Sequence, residues 1–357
     1  MQTYKVGILG ATGMVGQQYI SLLEGHPYFE ISYLAASERS AQKTYEESVK
    51  DRWHMNSPIP EKVKGLTVQI IDNIDEALKH CSFVFSALEA SAALHYEELY
   101  AKAGIPVISN ASTHRKSDDV AMIIPEINPQ HLEIIPHQKK RRGFERGFIV
   151  TKPNCSIQSY LTPLFALHKE FSLKHVIVST MQSISGAGYP GVSSFNILDN
   201  IIPYIPGEEE KSESEPLKIL GSIRNGAIIN NSEVLFSAHC NRVPVVDGHL
   251  ACVSVSFNTK PSHEDILNVW NNFKGEPQKL KLPSSPENPI IYQKEKNRPQ
   301  PRLDRNKGKG MLAVVGRLRQ CKVFDYRFAC LSHNTIRGAA GGAILMAELI
   351  KEKGLLL

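Results

Sequence analysis

Short apolar runs alternate with longer helix-favouring stretches through the first part of the chain. Runs such as Val6 to Leu9 have the length and composition of buried strands. Strands separated by helices pair in parallel, because a crossover helix brings the chain back to the same end of the sheet. We therefore expect a doubly wound parallel sheet. The predicted strands cover residues 6–9, 30–35, 83–85, 106–108 and 148–150, and the predicted helices cover residues 14–23 and 90–103.

The middle of the chain has a different pattern. Longer strands with partial alternation are predicted at residues 175–180, 251–257 and 323–330, with loops rich in Gly, Pro and Ser between them. This pattern favours an α+β domain with a large mixed, mostly antiparallel sheet. Residues 282–310 show little periodicity, which is typical of a functional loop or an oligomer interface. Residues 335–350 predict a Gly/Ala-rich helix that returns to the first domain.

Composition excludes several classes of protein. The chain has 357 residues, 42% of them hydrophobic and 22% charged, which is enough for two domains. Its formal net charge of +5 is too mild to indicate nucleic-acid binding, and we interpret the basic run at residues 139–142 as a solvated loop. We expect no membrane span and no signal peptide, since no apolar run is long enough and the N-terminus enters a strand at once.

The cysteines are scattered without a close pair. Such spacing is typical neither of a disulfide framework nor of a zinc site, so we expect no metal and a reducing, cytoplasmic location. Most of them stand in apolar strand-like runs and are expected to be small core residues. They are Cys81, Cys155, Cys240, Cys252, Cys321 and Cys330.

A glycine-punctuated turn joins the first predicted strand to the first predicted helix. In G-A-T-G-M-V-G, Gly10 permits a tight turn, Gly13 lets a pyrophosphate approach, and Gly16 allows close helix–strand packing. The helix N-terminus would then face the phosphates. This context predicts dinucleotide binding, with a merely structural turn as the alternative. The candidate contacts on this side are Gly10, Thr12, Gly13, Met14, Val15, Gly16 and, after a later strand, Ser86.

The end of the second predicted strand indicates which dinucleotide binds. Arg39, with the hydroxyls of Ser37 and Ser40, could hold a ribose 2′-phosphate and so favours NADP. Glu38 leaves NAD open, because a carboxylate there could bind the 2′-hydroxyl instead.

The sequence K-P-N-C-S follows the predicted strand at residues 148–150. Cys155 opens a predicted helix over residues 156–168, and a helix N-terminus stabilises a thiolate. The side-chain amide of Asn154 could donate to a developing oxyanion. These features favour a nucleophilic cysteine, and the alternative is a cysteine buried in the core.

A second candidate pair lies near the middle of the second domain. If residues 239–249 form strand, turn and strand, Arg242 and His249 can face one cleft. Histidine suits proton transfer near neutral pH, and arginine suits bidentate binding of a carboxylate. The spacing alone leaves His249 equally open to a structural role, and His239 is interpreted as structural.

Motifs distributed along nearly the whole chain resemble those of one family. The chain resembles the aspartate-β-semialdehyde dehydrogenases, in the branch found in archaea and fungi. The motifs are G-A-T-G-M-V-G at residues 10–16, S-N-A-S-T-H-R at 109–115, P-N-C-S at 153–156, Q-S-I-S-G-A-G at 182–188, E-E-E-K at 208–211, the segment 242–249, and H-N-T-I-R-G-A-A-G at 333–341.

The resemblance implies a role for each catalytic candidate. Cys155 would be the nucleophile, His249 the general acid and base, and Gln182 would position the acyl intermediate. Arg242 would bind the substrate carboxylate. NADPH would reduce L-4-aspartyl phosphate to L-aspartate 4-semialdehyde through a thioester on Cys155. By the same resemblance, the reaction would be reversible and would belong to lysine, threonine and methionine biosynthesis.

The resemblance also implies the remaining binding residues. Glu208 would meet the substrate ammonium, with Glu209 as the neighbour that competes for this assignment. Arg115 and Lys211 would bind phosphate. The nicotinamide side of the cofactor site would be formed by Ser185, Gly186, Ala187, Gly188, Asn334 and Thr335.

The resemblance completes the expected architecture. A Rossmann-type NADP-binding domain would comprise residues 1–154 and 331–357, and residues 155–330 would form the catalytic and dimerisation domain. We expect a homodimer or homotetramer. Two alternatives remain: a malonyl-CoA reductase, which shares the fold and the cysteine, and a non-catalytic NADP-sensing protein. The first would need neither an ammonium site nor a small-phosphate site, and the second would have little use for Cys155 with His249.

Overall fold

The computed structural model describes residues 3–356. Among these residues no helix is long and apolar enough to cross a bilayer. The strands are β1 (Tyr4–Leu9), β2 (Phe29–Ala36), β3 (Val68–Ile70), β4 (Phe83–Ser86), β5 (Val107–Ser109), β6 (Ala121–Met122), β7 (Ile149–Thr151), β8 (Leu173–Gln182), β9 (Ser222–Arg224), β10 (Ala227–Ile229), β11 (Leu235–Arg242), β12 (His249–Phe257), β13 (Ile290–Gln293), β14 (Ala313–Gln320) and β15 (Tyr326–Ser332).

Helices occupy most of the connections between the strands. The helices are α1 (Met14–Leu22), α2 (Tyr45–Val49), α3 (Glu61–Lys64), α4 (Ile74–His80), α5 (Ala90–Lys102), α6 (Ile135–Arg142), α7 (Ile157–Phe171), α8 (Ser194–Ile197), α9 (Glu208–Ile219), α10 (His263–Asn272), α11 (Glu276–Lys279), α12 (Pro301–Asp304) and α13 (Gly341–Glu352), with short 3₁₀ turns at Pro129–Ile134, Ile184–Ala187 and Lys307–Gly310 and a π turn at Ile336–Ala340.

The first sheet is parallel throughout and has the order β3-β2-β1-β4-β5-β7-β6. The strand order reverses at β1, which pairs with β2 on one side and β4 on the other. Ligands of doubly wound sheets bind at the carboxyl ends of the strands beside such a reversal. The predicted fold class is thus confirmed, and the glycine turn after β1 lies at this position.

The second sheet is mixed and has the order β11-β8-β12-β15-β14-β13. The pairs β8–β12, β12–β15 and β14–β15 are antiparallel, whereas β8–β11 and β13–β14 are parallel. Buried Val176, Val178 and Val253 pack in one apolar cluster with Leu161 and Leu164 of α7. The mostly antiparallel sheet that the alternation predicts is therefore confirmed.

The C-terminal helix packs on the first sheet. Every residue from Gly341 to Ile350 is buried, and Ile344 and Leu345 share a core cluster with Val6 of β1 and Val150 of β7. Such a helix, buried along this whole stretch and apolar there apart from Glu348, belongs inside a domain. This packing also brings the π turn that precedes α13 close to the loop between β7 and α7.

Three expectations about secondary structure were wrong. The helix predicted at residues 335–350 is interrupted, because Ala339 has φ −140° and ψ −108°, outside the helical region, and the regular helix begins only at Gly341. Residues 282–310 contain the edge strand β13, which pairs with β14. The strand predicted from residue 323 begins at Tyr326.

Two expectations about side chains were also wrong. The basic run at residues 139–142 ends helix α6 rather than forming a loop, and Arg142 Nε lies 2.6 Å from Asp119 Oδ2. Cys252 lies on β12 but is exposed, because the apolar run around it alternates and places this position on the open face of the sheet.

Candidate active site

A cysteine and a histidine from distant segments meet at the end of the second sheet. Cys155 lies in the loop between β7 and α7, and His249 is the first residue of β12. Cys155 Sγ is 3.2 Å from His249 Nε2. The histidine is fully buried, whereas the cysteine is partly open to a cavity. The two predicted reactive groups are therefore in direct contact.

The surroundings of His249 determine which of its ring nitrogens carries the proton. The backbone N–H of Ser183 donates to His249 Nδ1 at 3.1 Å, so this nitrogen is unprotonated and Nε2 carries the hydrogen. Burial, followed by the nearby Arg242 guanidinium, lowers the pKa of His249 to about 3. The imidazole is thus neutral near pH 7 and donates from Nε2 towards Sγ.

The Cys155 thiol is subject to opposing influences. Burial and the Glu208 carboxylate raise its pKa, whereas Lys152, Arg115 and Arg242 act in the opposite direction. The balance favours the thiol in the free protein. Neutralising Glu208 would shift that balance towards the thiolate.

Glu208, the first residue of α9, is shared by three donors. Asn154 Nδ2 lies 2.9 Å from Oε1 and 3.0 Å from Oε2, Gln182 Nε2 lies 3.1 Å from Oε2, and Lys211 Nζ lies 2.9 Å from Oε1. Glu209 points elsewhere, since its Oε1 accepts the Cys240 N–H at 3.0 Å. Of the two candidate glutamates, Glu208 alone contacts the residue beside the cysteine.

Arg115 is buried beside the cysteine loop and retains free donors. Its Nη1 donates to Glu215 Oε1 at 3.0 Å and its Nη2 to the Asn110 carbonyl at 2.8 Å. Within residues 3–356 its Nε has no hydrogen-bond partner. A buried guanidinium with an unpaired N–H is suited to an anionic ligand. Glu215 also accepts the Asn154 N–H at 2.7 Å, so one carboxylate holds both the arginine and the cysteine loop.

Arg242, the last residue of β11, contacts the loop after β8. Its Nη1 donates to the Ser183 carbonyl at 2.7 Å. A Cβ added at Gly186 would lie 2.9 Å from Arg242 Nη1 and 3.1 Å from His249 Cε1. Glycine at this position therefore permits the close approach of the loop to both predicted residues. Asn334 joins the same loop through Nδ2 to Ser185 Oγ at 2.8 Å.

The glycine turn has the geometry that a dinucleotide requires. Gly10 has φ +77°, and a side chain at Gly16 would overlap the carbonyl oxygen of Gly10. Helix α1 begins after Gly13 without a side-chain cap, which leaves its first N–H groups available for phosphate. The residues present thus fit a dinucleotide.

A cavity of about 280 Å³ separates the glycine turn from Cys155. Three predicted residues that do not line the cavity contact residues that do. His249 contacts Cys155, Glu208 contacts Asn154, and Arg242 lies close to Gly186. Lys152 and Asn110 line it too, although no role was predicted for them from the sequence. Predicted residues that line it are Met14, Val15, Arg115, Asn154, Cys155, Ser185, Gly186, Ala187, Gly188, Asn334 and Thr335.

Some predicted cofactor residues lie away from this cavity. Ser37 and Arg39 are exposed just after β2. Ser40 is buried, and its Oγ accepts Arg52 Nη2 at 3.3 Å, which identifies a second arginine near the predicted 2′-phosphate position. Ser86 is buried at the end of β4. Thr12 belongs to the glycine turn, where its carbonyl accepts Gln17 Nε2 at 3.0 Å.

Sequence reasoning missed residues that support the site. Glu215 follows Glu208 by two helical turns on α9, and this spacing could have identified it, because residues seven apart share a helix face. Ser183 contacts His249 Nδ1 with both its backbone N–H and its Oγ, at 3.1 and 3.2 Å, and this contact between distant segments leaves no local signal in the sequence. Within residues 3–356, no group of His, Cys, Asp and Glu side chains is arranged to hold a metal ion.

Fold and site together define a two-domain dinucleotide-binding protein with a cysteine–histidine pair at its cavity. Residues 5–135 match the family model described as semialdehyde dehydrogenase, NAD binding domain, and residues 164–337 match semialdehyde dehydrogenase, dimerisation domain. The chain belongs to the semialdehyde dehydrogenase family, and its relatives include archaeal and fungal aspartate-semialdehyde dehydrogenases.

Individual relatives cover almost the whole chain. The aspartate-semialdehyde dehydrogenase of Methanothermobacter thermautotrophicus is 46% identical, over 97% of this chain and 99% of the relative. The Candida albicans aspartate-semialdehyde dehydrogenase, solved with NADP, is 40% identical with a TM-score of 0.90, over 99% of this chain and 100% of that one. A malonyl CoA reductase (NADP) of Metallosphaera sedula is 42% identical, over 99% of this chain and 98% of the relative.

Proposed function

We propose that the protein is an NADP-dependent aspartate-semialdehyde dehydrogenase that reduces L-4-aspartyl phosphate to L-aspartate 4-semialdehyde, reversibly, in lysine, threonine and methionine biosynthesis. The observation that carries this proposal is the 3.2 Å contact between Cys155 Sγ and His249 Nε2 beside a cavity that Arg115 also lines. Relatives of this name, among them one solved with NADP, support it.

The charges around the cavity complement the substrate. Aspartyl phosphate carries a carboxylate, an ammonium and a phosphate. We assign the carboxylate to Arg242 and the ammonium to Glu208, which Lys211, Gln182 and Asn154 surround in the free protein. The phosphate is assigned to the free donors of Arg115 and to Lys211. An ammonium at Glu208 would also weaken the influence that raises the Cys155 pKa.

The chemistry begins with the sulfur. Cys155 first releases its thiol proton to water, because His249 Nε2 already carries a hydrogen. The thiolate then attacks the acyl carbon, a C–S bond forms, the C–O bond to phosphate breaks, and Arg115 and Lys211 stabilise the charge of the departing phosphate. NADPH, when bound, supplies hydride to the carbonyl of the resulting thioester. His249 Nε2 donates its proton to the oxygen of the tetrahedral adduct and recovers it when the adduct releases thiolate and aldehyde.

The cofactor and assembly are part of the proposal. The uncapped start of α1 and the glycine turn would hold the pyrophosphate, and Arg39 with Ser37 and Ser40 would favour NADP over NAD. The match to a dimerisation domain supports self-association, and we propose a homodimer or homotetramer. Six unpaired cysteines are compatible with the reducing cytoplasm.

The test is NADPH formation by the purified protein from aspartate semialdehyde and NADP, with and without inorganic phosphate. We expect turnover that depends on phosphate, because phosphate must attack the thioester. Arsenate in place of phosphate should also support turnover, whereas sulfate should not. NADPH oxidation that occurs only with malonyl-CoA would assign the malonyl-CoA reductase activity instead. NADPH binding without turnover of either substrate would favour a sensor.

A further inference from the structure

Lys152 is the buried cation beside Cys155 that the proposed chemistry does not use. It directly follows β7, is 3% exposed, and lines the same cavity as Cys155. Its Nζ donates to the Pro153 carbonyl at 2.6 Å and to the Gly338 carbonyl. A buried ammonium is costly unless an anion balances it.

No carboxylate balances this ammonium directly. In the described part of the chain, Nζ forms hydrogen bonds only to the two carbonyls and no ion pair. The charged groups that face it are Arg115, Glu215, Arg337 and Cys155. Two of these are engaged with each other, since Arg115 Nη1 lies 3.0 Å from Glu215 Oε1.

The remaining arginine is also neutralised. Arg337 makes a two-point pair with Glu126, with Nη1 2.6 Å from Oε1 and Nη2 2.8 Å from Oε2. The group left to balance Lys152 is therefore the sulfur of Cys155 once it has ionised. The backbone geometry agrees, because a Cβ added at Gly338 would lie 2.9 Å from the Cβ of Cys155, and the same glycine supplies a carbonyl to Lys152.

We propose that Lys152 is a positioning residue whose ammonium is the counter-charge of the Cys155 thiolate, held between the cysteine loop and the π turn by the Pro153 and Gly338 carbonyls. The inference rests on Cys155 being the nucleophile of the proposed function. Arg242 is reserved for the substrate and Arg115 for phosphate, so Lys152 is the cation that remains to pair with the Cys155 thiolate when it forms.

The pKa values of the pair are consistent with this assignment. Burial, and next to it the Arg115 charge, lowers the pKa of Lys152 to about 7, while Cys155 opposes the shift. Two groups that influence each other titrate as a pair, so each ionised partner favours the charged form of the other. Burial and Glu208 raise the pKa of Cys155, and Lys152, Arg115, Arg242 and the neutral His249 complete the groups that face it.

The chain contains a matched control lysine. Lys218 on α9 is 5% exposed, and its Nζ donates to the Arg115 and Ser117 carbonyls at 2.7 and 2.6 Å. Burial lowers its pKa to about 8. It is thus buried and bound in the same way as Lys152, but Cys155 is not among the groups that shift its pKa. Replacing either lysine removes a buried ammonium, and only Lys152→Met should affect the cysteine.

The experiment is the pH dependence of Cys155 alkylation by iodoacetamide in the full-length protein. Peptide mass spectrometry follows Cys155 separately, because Cys252 is exposed and would also react. In Lys152→Met the midpoint should rise by about one unit, so that the rate below the midpoint falls about tenfold. Lys218→Met should leave the midpoint where the wild type has it.

Further variants separate charge from structure. Lys152→Gln keeps a donor for the carbonyls without the charge, and it should show the same shift if Lys152→Met does not fold. Lys152→Arg keeps the charge and should remain near the wild-type midpoint. Unchanged midpoints in folded Lys152→Met or Lys152→Gln, or an equal shift in Lys218→Met, would overturn the inference. Because alkylation needs no turnover, failure of the proposed function would appear separately, as absent phosphate-dependent activity.

Discussion

The two sides of the cavity are built in contrasting ways. On the proposed nucleotide side, β1, the glycine turn and α1 form a single local unit, and three glycines within seven residues determine its shape. On the substrate side, side chains come from loops at residues 110–115 and 152–156 and from the ends of β8, β11 and β12 and the start of α9. A site within one local motif depends on backbone conformation, whereas a site assembled from distant segments depends on the buried polar contacts that join them.

The energetics differ accordingly. The nucleotide side offers free helix N–H groups to a charged ligand and contains few buried charges of its own. The substrate side buries four charged residues, Arg115, Glu208, Glu215 and Arg242. Arg115 pairs with Glu215, Glu208 accepts hydrogen bonds from three other side chains, and Arg242 donates to a backbone carbonyl. Removing one member leaves another uncompensated, so changes there should affect substrate steps while cofactor binding persists.

The largest effect should come from Cys155→Ser. A hydroxyl is a far weaker nucleophile near neutral pH, so kcat should fall by more than about a thousandfold. NADPH affinity, measured by fluorescence titration, should stay within about twofold of the wild type, because the helix start that binds phosphate is untouched. Near-normal turnover in the variant would refute the covalent role.

Gly16→Ala should act on the nucleotide side, and so weaken cofactor binding. The new methyl group would overlap the Gly10 carbonyl, and backbone cannot move aside cheaply. We expect the dissociation constant of NADPH to rise more than about tenfold. Gly65→Ala is the matched control, since no atom lies within 4 Å of its added Cβ. Equal NADPH affinity in both variants would show that the glycine turn does not determine binding.

Glu215→Gln should weaken the substrate side alone. The amide keeps the shape of the carboxylate but removes the charge that pairs with Arg115. It also has one acceptor oxygen instead of two, so it cannot accept hydrogen bonds from both Arg115 and the Asn154 N–H as the carboxylate does. We expect kcat/KM for aspartate semialdehyde to fall about tenfold, roughly the effect of one lost charge-assisted contact. Glu209→Gln is the control, because Glu209 faces β11. An equal loss of kcat/KM in the two variants would show that Glu215 has no specific role in the site.

Glu97 lies under the loop that carries Arg115, and Glu97→Gln should have the smallest effect on turnover. Its main effect should be on the free energy of unfolding. Burial raises the pKa of Glu97 to about 7, and Ser109 Oγ donates to it at 2.6 Å. Because the folded pKa exceeds the unfolded one, the wild type loses stability as pH rises from about 4.5 to about 7. The advantage of Glu97→Gln in free energy of unfolding should grow by on the order of 3 kcal/mol over this window. Urea titrations at pH 4.5 and 8 measure it, and a constant difference would contradict the assignment.

Sequence reasoning reached most of the fold because its signals were local. Apolar runs predicted β1, β2 and β4, and glycine spacing predicted the turn after β1. The break at Ala339 left no such signal, since Gly/Ala-rich segments favour a helix until a neighbouring loop must pack against them. Strand β13 was missed because it is an edge strand of only four residues, which is too short to show a clear periodicity.

For the candidate site, sequence reasoning supplied residues but not their connections. The choice of Glu208 over Glu209 required the structure, because only the direction of the Glu208 side chain towards Asn154 and Gln182 distinguishes the two residues. Lys152 stood inside the most informative motif and still had no role there, because its burial depends on Gly338, far along the chain. Contacts between distant segments thus account for what could not be predicted.

If Cys155 carries the acyl group, the intact mass of the protein should show it after mixing with aspartyl phosphate in the absence of NADPH. We expect one added aspartyl group, located on Cys155 by peptide mapping, absent in Cys155→Ser, and released as aspartate semialdehyde when NADPH is added. Rapid oxidation of NADPH by aspartyl phosphate with no adduct, or with an adduct on another residue, would contradict this expectation.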